Sequence, residues 1–125
     1  SSPMPSPIVH FQITSPNAEK TAQFLRDVFD WQPGEGRAGA DTWLDTGASQ
    51  VAPNDIFVNG SLRSGEPSVA ATTIVYVRVA DLDGTLEKAV KHGGSIVMPR
   101  RDNAGAPSIA IVSAPDGLVV GVVQL

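Results

Sequence analysis

From Ile8 the residues alternate, with Val9, Phe11 and Ile13 pointing one way and Ile8, His10, Gln12 and Thr14 the other. The pattern predicts a strand with one dry face and one mostly polar face. The period then changes. Ala18, Ala22, Leu25 and Phe29, flanked by Thr21, Phe24 and Val28, form an apolar stripe at helical spacing across Asn17 to Phe29. Ser15 is the expected N-cap, with Pro16 at the first helical position, where a missing N–H costs little. After a turn at Trp31-Gln32-Pro33-Gly34, short strands are expected at Thr42 to Asp45 and Asp55 to Asn59. Ser64-Gly65-Glu66-Pro67-Ser68 clusters turn-forming residues and reads as a linker.

The second half repeats the scheme. Val75, Val77 and Val79 alternate with Ile74, Tyr76 and Arg78, and Asp81 or Asp83 caps a helix whose apolar positions are Leu82, Leu86, Ala89 and Val90. Gly93 and Gly94 close it. Strands follow near Ser95 to Met98, Ile109 to Ser113 and Leu118 to Gln124, the last two joined by the turn Ala114-Pro115-Asp116-Gly117. Laid on the first half, Val9 falls on Val75, His10 on Tyr76, Phe11 on Val77, Gln12 on Arg78 and Ile13 on Val79, a constant shift of 76 − 10 = 66. An alternating strand followed at once by a capped amphipathic helix, twice, points to an internal repeat.

The expected fold is therefore α+β: two βαβββ modules, about 8–63 and 69–125 with a linker at 64–68, forming one domain after a disordered tail at 1–7. Each module keeps an apolar sheet face for its helix and a more polar face to spare. Joined, they are expected to make a cupped, mixed, mainly antiparallel sheet with helices on the outer face, and His10, Gln12, Tyr76 and Arg78 looking into the cup.

Composition narrows the function classes. At 125 residues the chain is long enough for one self-sufficient core. With no cysteine there is neither a disulfide framework nor a thiolate nucleophile or metal ligand. A net charge of −4 and a pI near 4.9 provide no basic field for nucleic acid or anionic lipid. The opening SSPMPSP lacks the basic start and apolar core of a secretory signal, Met4 is a candidate start preceded by extra residues, and no apolar run is long enough to span a bilayer. A cytoplasmic protein is expected. No phosphate-binding glycine loop, nucleophile elbow or paired zinc-ligand histidines occur.

The segments VHFQITSPNAEKTAQFLRDVFDW, VYVRVADLDGTLEKAVKHGG and APDGLVVGVVQL, in this order and covering Ile8 to Leu125, resemble the vicinal oxygen chelate superfamily of glyoxalase I, bleomycin-resistance proteins and extradiol dioxygenases. The resemblance implies paired modules forming a cupped site, often completed in a homodimer. In metal-dependent members a divalent Zn, Ni, Fe or Mn ion gathers two neighbouring substrate oxygens and acts as a Lewis acid. The implied ligands are a His or Glu on the first strand of one module, a His or Gln on the first strand of the next, and a Glu near the end of each last strand. His10 agrees with that pattern. Tyr76 stands where the second module offers His or Gln, and neutral phenol is a poor ligand. Gly121 stands at the last-strand Glu, and Val58-Asn59-Gly60-Ser61-Leu62 offers no carboxylate, with Asp45 or Asp55 as possible substitutes.

His10 is thus the candidate base, substrate contact or sole remaining metal ligand. With Gln12, Tyr76 and Arg78 it makes a set suited to an anionic or aromatic small molecule, Arg as charge partner and Tyr as amphipathic wall. Trp43 is either core or a stacking wall, with core favoured by ordinary burial, and Trp31 an anchor between helix and sheet. The polar loop from Pro99 to Pro107 is a possible cover, and His92 has no assigned chemistry. The reading is a binder of a small organic molecule with no obligatory metal. Its alternatives are a metal-dependent lyase, isomerase or dioxygenase of the same superfamily, or a non-catalytic protein-interaction module.

Overall fold

Both alternating segments form strands, and both apolar stripes form helices. The computed structural model describes residues 5–34, 42–47, 58–102 and 104–124. The chain divides into two compact units, one of His10–Thr73 and one of Ile74–Leu125 together with the residues through Val9.

The first module is β1 (Ile8–Ser15), α1 (Ala18–Phe29), β2 (Gln32–Pro33), β3 (Thr42–Asp45) and β4 (Gly60–Ser64). Its strands lie in the order β2-β3-β4-β1, antiparallel except for the parallel β4–β1 pair. The helix starts two residues later than Ser15 would place it. Asn17 is the N-cap, its side chain accepting the Lys20 N–H at 3.1 Å, while Ser15 Oγ accepts the Asn17 N–H at 3.0 Å and bonds Thr21 Oγ1 at 2.7 Å. Asp30 ends α1 at φ 59°, a left-handed cap whose N–H donates to the Arg26 carbonyl at 3.0 Å. Leu25 packs with Leu44 and Leu62, and Phe11, Ile13, Ala18, Ala22 and Trp31 close around them. Trp31 is the anchor expected of it.

The last strand of this module departs from expectation. Val58 and Asn59 precede the strand, residues 55–57 lie outside the described residues, and β4 runs through Gly60-Ser61-Leu62-Arg63-Ser64. Pairing on both sides compensates for its poor strand composition: Gly60, Ser61 and Leu62 meet Leu44, Trp43 and Thr42 across one edge, and Phe11, Gln12 and Ile13 across the other.

The second module is β5 (Thr72–Arg78), α2 (Leu82–Lys91), β6 (Ser95–Arg101), β7 (Ser108–Ser113) and β8 (Val119–Gln124). The strand order β6-β7-β8-β5, with only β8–β5 parallel, repeats the first module's plan. Asp81 is the N-cap, accepting the Gly84 N–H at 3.1 Å, and Gln124 Oε1 takes the Leu82 N–H at 2.7 Å. Gly93, at φ 90°, turns the chain out of α2. Leu82, Leu86, Ala110 and Val122 form the core with Val77, Val79 and Val112 against them. The chain is thus α+β, two βαβββ modules each with one helix on a mixed, mainly antiparallel sheet. Among the described residues no helix is long and apolar enough to cross a membrane.

Arg100 ties the start of α2 to the β6–β7 hairpin. Its Nη1 donates to Asp83 at 3.0 Å and its Nε to Asp102 at 2.9 Å, while the Ser108 hydroxyl also donates to Asp102. The Ser108 hydroxyl first and Arg100 second hold the Asp102 carboxyl below the usual carboxylate range. The two carboxylates hold the Arg100 guanidinium above its ordinary value.

Leu62→Ala and Leu82→Ala should each cost about 2–5 kcal/mol in denaturant unfolding, because both side chains are almost wholly buried and leave cavities. A change under half of that at either site would contradict the core assignment. For Asp102, a folded pKa below the unfolded one means stabilisation that is present above about pH 4 and lost as pH falls through the lower folded value. Asp102→Asn should flatten that acid limb of the stability curve; an unchanged limb would sever the carboxylate from it.

Candidate functional site

The polar face of the first module is built by strand period and register. His10, Gln12 and Thr14 alternate with Phe11 and Ile13, whose side chains serve the α1 core. Gln12 is paired with Ser61 and Ser61 with Trp43, so β1, β4 and β3 each place a side chain on the face away from α1. His10 Nε2 lies 3.0 Å from Ser61 Oγ, with imidazole or hydroxyl donating according to the tautomer. The His10 ring is 5.6 Å from the Trp43 ring at 36°. Gln12 and Ser61 are buried, 9% and 7% exposed, and no buried side-chain N or O among the described residues lacks a hydrogen-bond partner.

Trp43 corrects an expectation. Trp43 is 47% exposed beside His10, so it is not a core residue and its ring stands on the polar face. An imidazole held by a hydroxyl and flanked by an indole can give or take a proton at a planar molecule and supply a π surface against it. Ser61 was missed because the sequence reading ended the strand at Asn59; its hydroxyl has no signal outside the β1–β4 register.

In the second module Tyr76 is paired with Gly121 across the parallel β5–β8 ladder. The phenol ring stands against that glycine: a methyl group at 121 would collide with the ring edge, and Tyr76 is only 6% exposed. Val77, its neighbour, faces the α2 core, so the ring covers the opposite face. Arg78 is exposed, and its backbone N–H donates to the Pro7 carbonyl at 2.9 Å. Of the residues proposed from sequence, His10, Gln12 and Trp43 share the face of the first module; Tyr76 and Arg78 belong to the other compact unit.

Residues 7–122 match the model of the Glyoxalase/Bleomycin resistance protein/Dioxygenase superfamily. The chain belongs to this superfamily. It is 28% identical over 120 residues to the "Putative glyoxylase CFP32" of Mycobacterium bovis and equally to that of Mycobacterium tuberculosis, covering 93% of this chain and 44% of each relative. It therefore spans less than half the length of those relatives. Among solved structures it resembles methylmalonyl-CoA epimerase from Mycobacterium tuberculosis, with a TM-score of 0.64, 14% identity, 94% of this chain and 86% of that chain covered. The hypothetical protein BH1468 from Bacillus halodurans C-125 gives a TM-score of 0.67 at 9% identity over 96% and 94% of the two chains. At such identities the likeness is one of fold.

The positions at which the resemblance implies metal ligands have these surroundings among the described residues. His10 Nε2 is engaged by Ser61, the Tyr76 phenol is packed over Gly121, and Gly121 has no side chain. Asp45 Oδ1 accepts the Gly47 N–H at 2.7 Å, and Asp55 lies outside the described residues. No group of three or more His, Asp or Glu side chains among the described residues could hold an ion, whereas a protein zinc site normally uses at least three ligands.

The Tyr76–Gly121 contact predicts a coupled pair. Gly121→Ala should cost about 1–3 kcal/mol with Tyr76 in place, since the ring has to move, and far less in a Tyr76→Ala background. Equal costs in the two backgrounds, measured by denaturant unfolding, would show that the ring and the glycine do not share the space.

Proposed function

We propose that the protein binds a small organic molecule on the His10, Gln12, Trp43 and Ser61 face, with no obligatory metal. The observation that carries this is the His10 imidazole set between the Ser61 hydroxyl and a half-exposed indole. Large exposed aromatics beside buried, satisfied polar groups are the ordinary composition of a small-molecule wall. The packing of Tyr76 over Gly121 supports metal independence, because it turns two positions of the family's ligand pattern into an aromatic contact. Tyr76 and Arg78 remain proposed contacts from the sequence, and a cytoplasmic homodimer remains the proposed state.

The second reading is an enzyme of the same superfamily, a lyase, isomerase or dioxygenase. The match to proteins named glyoxylases favours it. His10 would then serve as a general base, its Nε2 proton balance set through Ser61.

Chelator-dialysed protein screened against small organic molecules tests the first reading. A ligand present at 100 times its Kd should stabilise the fold by about 2.7 kcal/mol. Metal removal should leave that gain intact, while His10→Ala or Trp43→Ala should abolish most of it. Stoichiometric Ni, Zn, Fe or Mn that the ligand requires, and that His10→Ala releases, would overturn metal independence. A tight protein partner with no small-molecule stabilisation would move the protein to the interaction class.

A further inference from the structure

The indole and the imidazole of the His10 face come from different strands, so their spacing depends on how β3 is registered on β4. Ser61 Oγ is bonded to His10 Nε2, and Trp43 is the β3 partner of Ser61, which brings the indole to 5.6 Å from the imidazole. The ladder behind this is short. Thr42, Trp43 and Leu44 meet Leu62, Ser61 and Gly60, and on its other edge β3 has only Gln32 and Pro33 beside it among the described residues. Ladder bonds form as readily in neighbouring registers, because every residue but proline offers the same N–H and C=O. Burial of Leu44 with Leu25 and Leu62 forbids a slip of one residue, which would turn Leu44 to solvent and Trp43 to the helix. A slip of two residues keeps every side chain on its face. It would carry Trp43 roughly 7 Å along β4 from Ser61.

Thr46 supplies what the ladder lacks. The same register continued past Leu44 and Gly60 puts Asn59 opposite Asp45 and Val58 opposite Thr46. The Thr46 backbone N–H donates to Asn59 Oδ1 at 2.9 Å, and its hydroxyl donates to the Val58 carbonyl at 2.6 Å and lies 3.1 Å from the same Asn59 oxygen. Directly after it Gly47, at φ 90°, turns the chain, its N–H held by Asp45 Oδ1 at 2.7 Å. The bonds to Asn59 use a side chain and not a group repeated at every residue, so they exist in one register alone. Moving β3 by two residues would break both. Thr46 and Asn59 are half-buried, so a lost partner is only partly replaced by water.

From this clamp we propose that Thr46, acting through Asn59, is a positioning residue of the His10 face: it locks the register that sets the Trp43 indole against the imidazole. The proposal rests on the reading of that face as a small-molecule site and names what sets the gap between its two rings. The core decides which face Trp43 occupies, and the clamp decides where along that face it stands. A planar ligand touching both rings is then selected by a contact that neither ring makes itself.

The imidazole ring protons of His10, followed by NMR, test this without any ligand, because an indole 5.6 Å away shifts them by its ring current. Trp43→Ala gives their positions with the indole gone. Thr46→Val, which removes the hydroxyl at nearly constant shape, and Asn59→Ala, which removes the acceptor of both Thr46 groups, should each move them at least halfway to those positions. Thr46→Ser should hold them at the wild-type values, and His92 should respond in none of the variants. Wild-type His10 positions in Thr46→Val and Asn59→Ala, whatever happens to their unfolding curves, would reduce the clamp to a structural role and overturn the proposal, as would an equal displacement in Thr46→Ser. If Thr46→Val fails to fold, Asn59→Ala gives the same reading alone. A clamp-dependent His10 shift in a protein that none of the screened small molecules stabilises would count against the small-molecule face and leave the positioning role standing.

Discussion

An aromatic ring set against a glycine, across a parallel pair of strands, is the contact on which each module turns. In the first, Phe11 of β1 covers Gly60 of β4; in the second, Tyr76 of β5 covers Gly121 of β8. Parallel strands cannot be joined by a tight turn, so the first and last strands of a βαβββ module need a specific contact to hold them in register. The ring gains the apolar area that the glycine cannot supply and pins the register where it sits. The two rings lie on different faces. Phe11 joins the helix-side core, which leaves the other face of β1 to His10, Gln12 and Thr14; Tyr76 lies on the face away from α2. One device thus leaves a polar surface in one module and fills the equivalent surface in the other.

The fold was legible in the sequence where a period ran long enough to be seen. Alternation in Ile8 to Thr14 and Ile74 to Val79, with a capped apolar stripe after each, specified both first strands, both helices and the repeat of 66. It failed at β4, because Gly60-Ser61-Leu62-Arg63-Ser64 contains a single large apolar residue and is a strand only by virtue of neighbours on both edges. The helix cap shifted from Ser15 to Asn17 because Ser15 was taken up by Thr21 and the Asn17 N–H. Both are local choices settled by contacts that a linear pattern does not contain.

The site shows the same division. His10, Gln12 and Trp43 were legible from alternation and from chemistry rare enough in this chain to notice. Ser61 was not, since its place beside His10 exists only through the β1–β4 register. Alternation likewise put Tyr76 on the face away from α2, while its packing against Gly121 exists only through the β5–β8 register. The superfamily scaffold carries binding and several chemistries, so the site's own residues, and not the fold, have to supply the function.

The proposed function turns on whether His10 belongs to a metal centre or to an organic-ligand face. The protein has two histidines, and His92, exposed at the end of α2, supplies an internal reference. Imidazole nitrogen resonances followed by NMR during a zinc titration measure the point directly. With His10 on an organic-ligand face, its resonances should respond no more than those of His92 and never saturate at one equivalent. A saturable His10 shift at stoichiometric zinc, with His92 unmoved, would contradict it.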